Sequence, residues 1–88
     1  PKSFRLYQNY PNPFNPETNI KYSLKNSSNI KVEVFDIAGR IVWINEVGFK
    51  HSGEHSIKFN AENLSSGVYF YRITFDEGFD MKKMVLIK

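Results

Sequence analysis

The stretch Leu64-Ser65-Ser66-Gly67-Val68-Tyr69 decides the fold class of this chain. It places a leucine, a glycine and a tyrosine as they stand in the tyrosine corner of Greek-key sandwiches. In that motif the tyrosine hydroxyl bonds a backbone group upstream and ties a crossing loop to the next strand. We predict this role for Tyr69, and the alternative is an ordinary core tyrosine.

The segments around this corner read as β-strands. Val68–Phe75 is apolar on both faces except at Arg72 and Thr74, which is typical of a central strand. Apolar and polar residues alternate in other segments, as they do in half-buried strands. The alternating apolar positions are Ile20, Tyr22 and Leu24, then Ile30, Val32 and Val34, then His55, Ile57 and Phe59. Ile41–Val47 and Phe79–Ile87 complete the predicted strands.

Turn residues separate these strands. Asp36–Arg40 has the composition of a hairpin loop in which Gly39 is free to take a positive φ. We interpret Gly48–Gly53 as another turn and Asn60–Gly67 as a longer crossing loop. Six or seven short strands, at spacings of roughly 8–12 residues, predict an all-β antiparallel sandwich.

Composition narrows the classes of function. The chain has 88 residues, 41% of them hydrophobic, a net charge of +3 and no cysteine. Disulfides and thiolate metal sites are therefore excluded, and the scattered basic residues give no nucleic-acid footprint. No apolar run approaches the roughly 18 residues of a membrane helix. No signal peptide is present, so we expect an exported form to belong to a longer chain that begins upstream.

The chain offers poor material for catalysis. His51 and His55 lie four residues apart, but a turn glycine stands between them, and His55 shares a strand face with Ile57. We therefore favour a hydrogen-bonded or half-exposed side chain for His55 over a role as a metal ligand. Ser65-Ser66-Gly67 lacks the preceding glycine and the strand-to-helix turn of a nucleophile elbow. We predict that the domain is not an enzyme and holds no cofactor.

Two weaker site hypotheses remain. Glu17 with Asn12 and Asn15 supplies the oxygen atoms that calcium prefers, although asparagine-rich loops are more often simple turns. Trp43 would stack on a sugar if it faced solvent. Because it shares a face with Ile41, core packing is favoured for this side chain.

Asn9–Pro16, here called the proline-rich loop, holds three prolines and two aromatic side chains. Proline excludes a helix and removes backbone donors, so we predict a stiff extended loop. Phe14 is too apolar to leave in water, and it should fill a gap at one edge of the core.

These residues resemble a known family. The run Leu6–Thr18 is similar to the opening of the C-terminal sorting domains that direct proteins through the type IX secretion system of Bacteroidetes and relatives. Further segments resemble the later motifs of this family, in the same order and spacing. They are Val34–Asp36 with Gly39-Arg40, Gly53–His55, Leu64–Arg72 and the terminal motif in Lys82–Lys88.

The resemblance implies an immunoglobulin-like sandwich of about seven strands and a role as a secretion signal. Residues 1–5 would link the domain to a covalently joined cargo domain upstream, and residues 6–88 would form the sorting domain. The partner implied is the outer-membrane machinery of type IX secretion. The implied location is the cell surface or the medium, reached through the periplasm, with neither nucleic-acid binding nor stable membrane insertion.

The resemblance also assigns the sorting role to particular residues. These are Gly67 and Tyr69 of an inner motif, and Lys83, Met84, Val85, Leu86, Ile87 and Lys88, here called the tail motif. Alternation along a strand puts Met84 and Leu86 on one face and Lys83, Val85 and Ile87 on the other.

Two interpretations of this strand stay open. At a sheet edge it would expose backbone groups to a receptor strand, and the second apolar face would suggest a partner. The alternative is a strand buried on both sides. Receptor contact through Lys82, Lys83 and Lys88 would be sensitive to salt, because exposed charges are screened.

Two other functions fit parts of the sequence. A structural immunoglobulin-like module of the flagellar hook-cap type shares the Asp-x-x-Gly-Arg hairpin and the Gly-Val-Tyr block. A carbohydrate-binding appendage of a secreted hydrolase would use Trp43 or tyrosines as stacking platforms.

Overall fold

The computed structural model describes residues 4–88, which form seven strands and no helix. In chain order the strands are β1 (Phe4–Leu6), β2 (Glu17–Leu24), β3 (Ser28–Phe35), β4 (Ile41–Lys50), β5 (Gly53–Asn60), β6 (Gly67–Phe75) and β7 (Gly78–Leu86). One sheet has the order β1-β2-β5, and the other has the order β4-β3-β6-β7. All paired strands are antiparallel. The prediction of an all-β sandwich of about seven strands is confirmed, and the arrangement is consistent with an immunoglobulin-like fold.

The core lies between the two sheets and is built from the alternating apolar residues of the strands. Ile20 and Tyr22 on β2, and Val32 and Val34 on β3, are fully buried in one cluster. Because successive side chains of a strand point to opposite faces, each strand contributes every second residue to this cluster.

Aromatic contacts join the two sheets at both sides of the sandwich. Phe4 of β1 stacks on Phe75 of β6, with ring centroids 4.4 Å apart, and Trp43 of β4 lies 4.9 Å from Phe59 of β5. Such pairs add specific geometry to the area that they bury. Core packing of Trp43 is therefore confirmed, and the ring is not an exposed platform for a sugar.

Strand β4 differs from the sequence-based prediction in two ways. It continues through Gly48 to Lys50, so the predicted turn over 48–53 is wrong except at its end. Gly48 has a φ of +92°, and the β3–β4 register shifts beside it, so the glycine accommodates an irregularity within the strand.

A second register shift places a bulge near the start of β4. Val34 pairs with Trp43, whereas Phe35 pairs with Ile41, so the strand holds an extra residue between these two positions. Ile41 is therefore 49% exposed while Trp43 packs against the core. The prediction that both share a face is wrong, because a bulge breaks strict alternation.

The hairpin loop between β3 and β4 follows the prediction. Gly39 has a φ of +85°, a conformation that residues with a Cβ rarely adopt. The Asp36 carboxylate accepts hydrogen bonds from the backbone N–H groups of Ala38 and Arg40, each at 2.9 Å. The bond from the Arg40 backbone, assisted by its guanidinium, lowers the pKa of the Asp36 carboxyl.

The first strand bears on where the domain begins. Phe4 pairs with Leu24 and is buried, and Arg5 pairs with Ser23, so both belong to the sandwich although a linker was predicted over 1–5. Residues 1–3 of that predicted linker lie outside the described residues. Within residues 4–88 there is no helix of a length and apolarity that would cross a membrane.

Candidate recognition site formed by the tail motif and the proline-rich loop

The tail motif lies at the end of β7, which is an edge strand of the four-stranded sheet. Met84 and Leu86 point into the core and are 0% and 1% exposed. Lys83 and Ile87 are exposed and Val85 is half-buried, so these three form the outward face. The alternative of a strand buried on both sides is therefore wrong.

The proline-rich loop runs along the outer edge of β7. The Phe14 N–H donates to the Val85 carbonyl, and the Ile87 N–H donates to the Phe14 carbonyl, both at 3.0 Å. The Val85 N–H donates to Asn12 Oδ1 at 3.0 Å. A short parallel bridge thus joins the loop to the tail motif.

Gln8, directly before the loop, extends this contact. Its Nε2 donates to the Lys83 carbonyl at 2.7 Å. Alternate residues of an edge strand direct their backbone N–H and C=O groups away from the sheet. Here four of these groups already have hydrogen-bond partners: the Lys83 carbonyl, the N–H and carbonyl of Val85, and the Ile87 N–H. The prediction that this edge exposes its donors and acceptors to a receptor strand is therefore wrong for the tail motif.

A buried polar network anchors the start of the loop. The Asn9 N–H donates to the Tyr71 hydroxyl at 2.9 Å, and that hydroxyl donates to the Tyr7 carbonyl at 2.8 Å. Asn9 Nδ2 donates to Thr18 Oγ1 at 3.0 Å, and Thr18 Oγ1 donates to the Pro11 carbonyl at 2.8 Å. Burial raises the pKa of Tyr71 to about 12, so its hydroxyl stays protonated in this network at neutral pH.

The middle of the loop is anchored by an apolar side chain. Phe14 is 2% exposed, and its ring meets that of Phe59 edge-on, with centroids 6.2 Å apart. The Ala61 N–H donates to the Pro16 carbonyl at 2.8 Å and fixes the end of the loop. The prediction that Phe14 fills a gap at the core edge is confirmed.

The inner motif meets the tail motif at the same end of the sandwich. The Tyr69 hydroxyl donates to the Ser65 carbonyl at 2.7 Å, which confirms the tyrosine corner. Gly67 opens β6 directly opposite Leu86. The structure therefore brings the two sets of predicted residues together.

The lysines of the tail motif differ in their surroundings. The Lys88 N–H donates to Ser66 Oγ at 2.9 Å, and its ammonium group donates to the Glu62 carbonyl, so it is tied to the crossing loop. Lys83 is exposed and forms no ion pair with any residue of the described chain. Of these two lysines, Lys83 is the one available to a partner.

The outer face of the four-stranded sheet carries a feature that sequence reasoning missed. The Arg72 guanidinium donates to Glu33 Oε1 at 2.8 Å, and Glu33 is only 5% exposed. Arg72 also lies 4.8 Å from the ring centre of Phe35. Opposite charges at paired positions of β3 and β6 become visible only once the register of these strands is known.

The other candidate sites do not assemble. His55 is half-buried against Tyr22, with rings 5.4 Å apart, and its Nε2 lies 2.8 Å from the His51 carbonyl, as expected for a satisfied histidine. Residues 4–88 hold no group of three or more His, Cys, Asp or Glu side chains that could bind a metal.

The calcium hypothesis finds no support, because the Asn12 and Glu17 side chains are engaged by different strands. The Asn12 side chain is engaged by β7, whereas Glu17 Oε2 accepts a hydrogen bond from Asn60 on β5. The two side chains are therefore held by different sheets.

Both motifs fall within one known family. A sequence profile described as a secretion system C-terminal sorting domain matches residues 8–88, and so spans the proline-rich loop, the inner motif and the tail motif. The chain belongs to this family. Sorting domains of this family are C-terminal signals for type IX secretion, and this domain is such a signal. Membership favours this function over a hook-cap module or a carbohydrate-binding appendage.

The family also fixes the broad setting of the sorting domain. The sorting domain associates with the type IX secretion machinery, which secretes proteins to the cell surface or the extracellular space. The family is not a catalytic one. A comparison with curated proteins gave no match.

A solved structure supports the fold. The sorting domain is similar to part of PorZ, described as an essential bacterial surface component of the type IX secretion system of Porphyromonas gingivalis. The TM-score is 0.67 at 22% sequence identity, over 94% of this chain and 11% of that one. The chain thus corresponds to a small part of PorZ, and the likeness establishes the architecture alone.

Proposed function

We propose that this sorting domain is the tail of a longer secreted protein, with the described sandwich as the signal and a cargo domain joined covalently upstream. The cargo passes from the periplasm across the outer membrane once the machinery has read the tail. The observation that carries this proposal is the family match over residues 8–88, which includes every predicted motif from the proline-rich loop onward.

The predicted site residues divide into two roles under this proposal. Lys83, Val85 and Ile87 contact the machinery, because they form the outward face of the tail motif. Met84 and Leu86 hold the strand against the core. The inner residues Gly67 and Tyr69, together with Lys88, fix the neighbouring loop so that this face keeps its shape.

Any chemistry of the full protein resides in the cargo under this proposal, and the tail is not an enzyme. In support, neither histidine is placed to act as an acid or base: the ring of His55 is engaged by the chain, and His51 lies on the exposed turn after β4. Catalysis needs a nucleophile or an acid–base pair with supporting groups in one place.

The test is export of a reporter that has no tail of its own. Residues 1–88 are fused behind a periplasmic reporter in a host with type IX secretion, and the reporter is measured in the medium and on the cell surface. We expect export with the intact tail and retention in the periplasm when Met84–Lys88 is deleted.

A matched control separates reading from folding. The substitution Ile87→Ser changes an exposed tail side chain, and Ile44→Ser changes an equally exposed side chain on β4, 51% exposed against 53%. Export should fall with Ile87→Ser and stay unchanged with Ile44→Ser. Retention of the reporter with the intact tail would count against the proposed function.

A further inference from the structure

We propose that the secretion machinery recognises the tail motif with its backbone edge closed by the proline-rich loop, and therefore binds the outward side chains rather than adding a strand. This inference rests on the proposed function. It assigns a positioning role to Asn12 and Gln8, which lie outside the tail motif.

The loop closes the edge by replacing the partners that a neighbouring strand would offer. The carbonyl and N–H of Val85 are both engaged, by the Phe14 N–H and by Asn12 Oδ1. The Ile87 N–H and the Lys83 carbonyl are engaged as well, by the Phe14 carbonyl and by Gln8. A receptor strand added at these residues would have to break all four bonds, because strand addition uses the same backbone groups.

The loop is held in place independently of β7. Phe14 fills a gap in the core, so lifting the loop would move this ring into water. The buried Asn9 is bonded to Tyr71 and Thr18, which belong to different sheets. Buried polar groups are costly to leave without partners, so the closed arrangement is the stable one.

The surface that remains for a partner is the outward face of the tail motif. Val85 pairs across the sheet with Val68, and Lys83 pairs with Phe70, so the apolar surface continues onto β6. Beside it stands the Lys83 ammonium group, which has no ion-pair partner within residues 4–88. The partner that fits is a protein surface with an apolar patch for Val85 and Ile87 and a carboxylate for Lys83.

Two asparagines of the loop provide a matched test. Asn12 and Asn15 are both exposed, but only the Asn12 side chain bonds β7. Asn12→Ala leaves the Val85 N–H without its acceptor, whereas Asn15→Ala leaves the edge intact. We expect the Val85 amide hydrogen to exchange about 2- to 10-fold faster in Asn12→Ala, which corresponds to the loss of one hydrogen bond.

Export of the reporter fusion then decides how the tail motif is read. With side-chain reading, Asn12→Ala loosens the outward face, and export falls at least about twofold. Asn15→Ala should be exported like the unchanged tail. Strand addition predicts the opposite sign for Asn12→Ala, because a loosened loop would free the edge. Unchanged or increased export in Asn12→Ala, or an equal fall in both variants, would overturn the inference.

A second variant, and export of the unchanged tail as the reference, complete the test of the closed edge. Gln8→Ala removes the bond to the Lys83 carbonyl from a position outside the loop, and it should lower export in the same direction. This variant takes the place of Asn12→Ala if the latter does not fold by circular dichroism. Failure of the unchanged tail to export the reporter would overturn the proposed function. Export of the unchanged tail, without sensitivity to these variants, would overturn only the closed-edge inference.

Discussion

Two buried tyrosines of the sorting domain differ in what their hydroxyl groups contact. Tyr71 and Tyr22 are both 0% exposed, but only the Tyr71 hydroxyl has protein partners, the Asn9 N–H and the Tyr7 carbonyl. No group among the described residues bonds the Tyr22 hydroxyl. This pair separates the effect of a hydrogen bond from that of an aromatic ring.

We expect Tyr71→Phe to lower the free energy of unfolding by about 1–3 kcal/mol, because it leaves the Asn9 N–H and the Tyr7 carbonyl without partners. Tyr22→Phe should be neutral or slightly stabilising, since it removes a buried hydroxyl that has no protein partner. Denaturant unfolding of both variants measures the difference. Equal losses in the two variants would contradict the role given to Tyr71.

The same hydroxyl makes stability depend on alkaline pH. Burial raises the pKa of Tyr71 to about 12, above the ordinary value of about 10, so folding favours the protonated form. This contribution is complete below pH 10 and is lost progressively as the pH rises from 10 to 12. The stability gap between the unchanged domain and Tyr71→Phe should therefore narrow over this range. Denaturant titrations at several pH values measure it, and a constant gap would contradict the prediction.

At the scale of elements, β7 packs one face into the core and leaves the other outward, and we propose that the outward face is the one recognised. We expect Leu86→Ala to lower the free energy of unfolding by about 2–5 kcal/mol, because it empties a filled core position. Ile87→Ser, at an exposed neighbour, should change it by less than about 0.5 kcal/mol. Thermal and denaturant unfolding test both values. A large loss in Ile87→Ser would mean that its export defect reports misfolding.

The sequence predicts the strands well where alternation is regular. β2, β3 and β5 follow from their apolar periodicity, and the tyrosine corner follows from the spacing of Leu64, Gly67 and Tyr69. The predicted β4 ends too early, at Val47, because a glycine is typical of a turn. In the structure Gly48 lies inside a bulged strand. Bulges depend on the partner strand, which local patterns do not contain.

The two faces of the tail motif were predictable from the sequence, but the closure of its backbone edge was not. The alternation of the tail motif gives its two faces correctly, with Met84 inward and Val85 outward. The bonds that close its edge come from Asn12 and Phe14, far away along the chain. Such contacts depend on how the sheets stack, and a single sequence does not state that arrangement.

At the scale of the whole molecule, one core serves both sheets. Trp43 on β4 packs against Phe59 on β5, so its fluorescence reports the contact between the sheets. We expect the domain to unfold in a single transition, with equal midpoints by Trp43 fluorescence and by far-ultraviolet circular dichroism. Separate midpoints would show that one sheet survives without the other.

The bridge between Phe14 and Leu86 has a consequence for synthesis. The chain emerges from the ribosome with the loop first, but the strand that completes the loop's binding partners is made much later. A nascent or prematurely ended chain that lacks residues 84–88 therefore leaves Phe14 without its bridge and the outward face unbuilt. The outward face of the tail motif therefore assembles only after residues 84–88 have been translated.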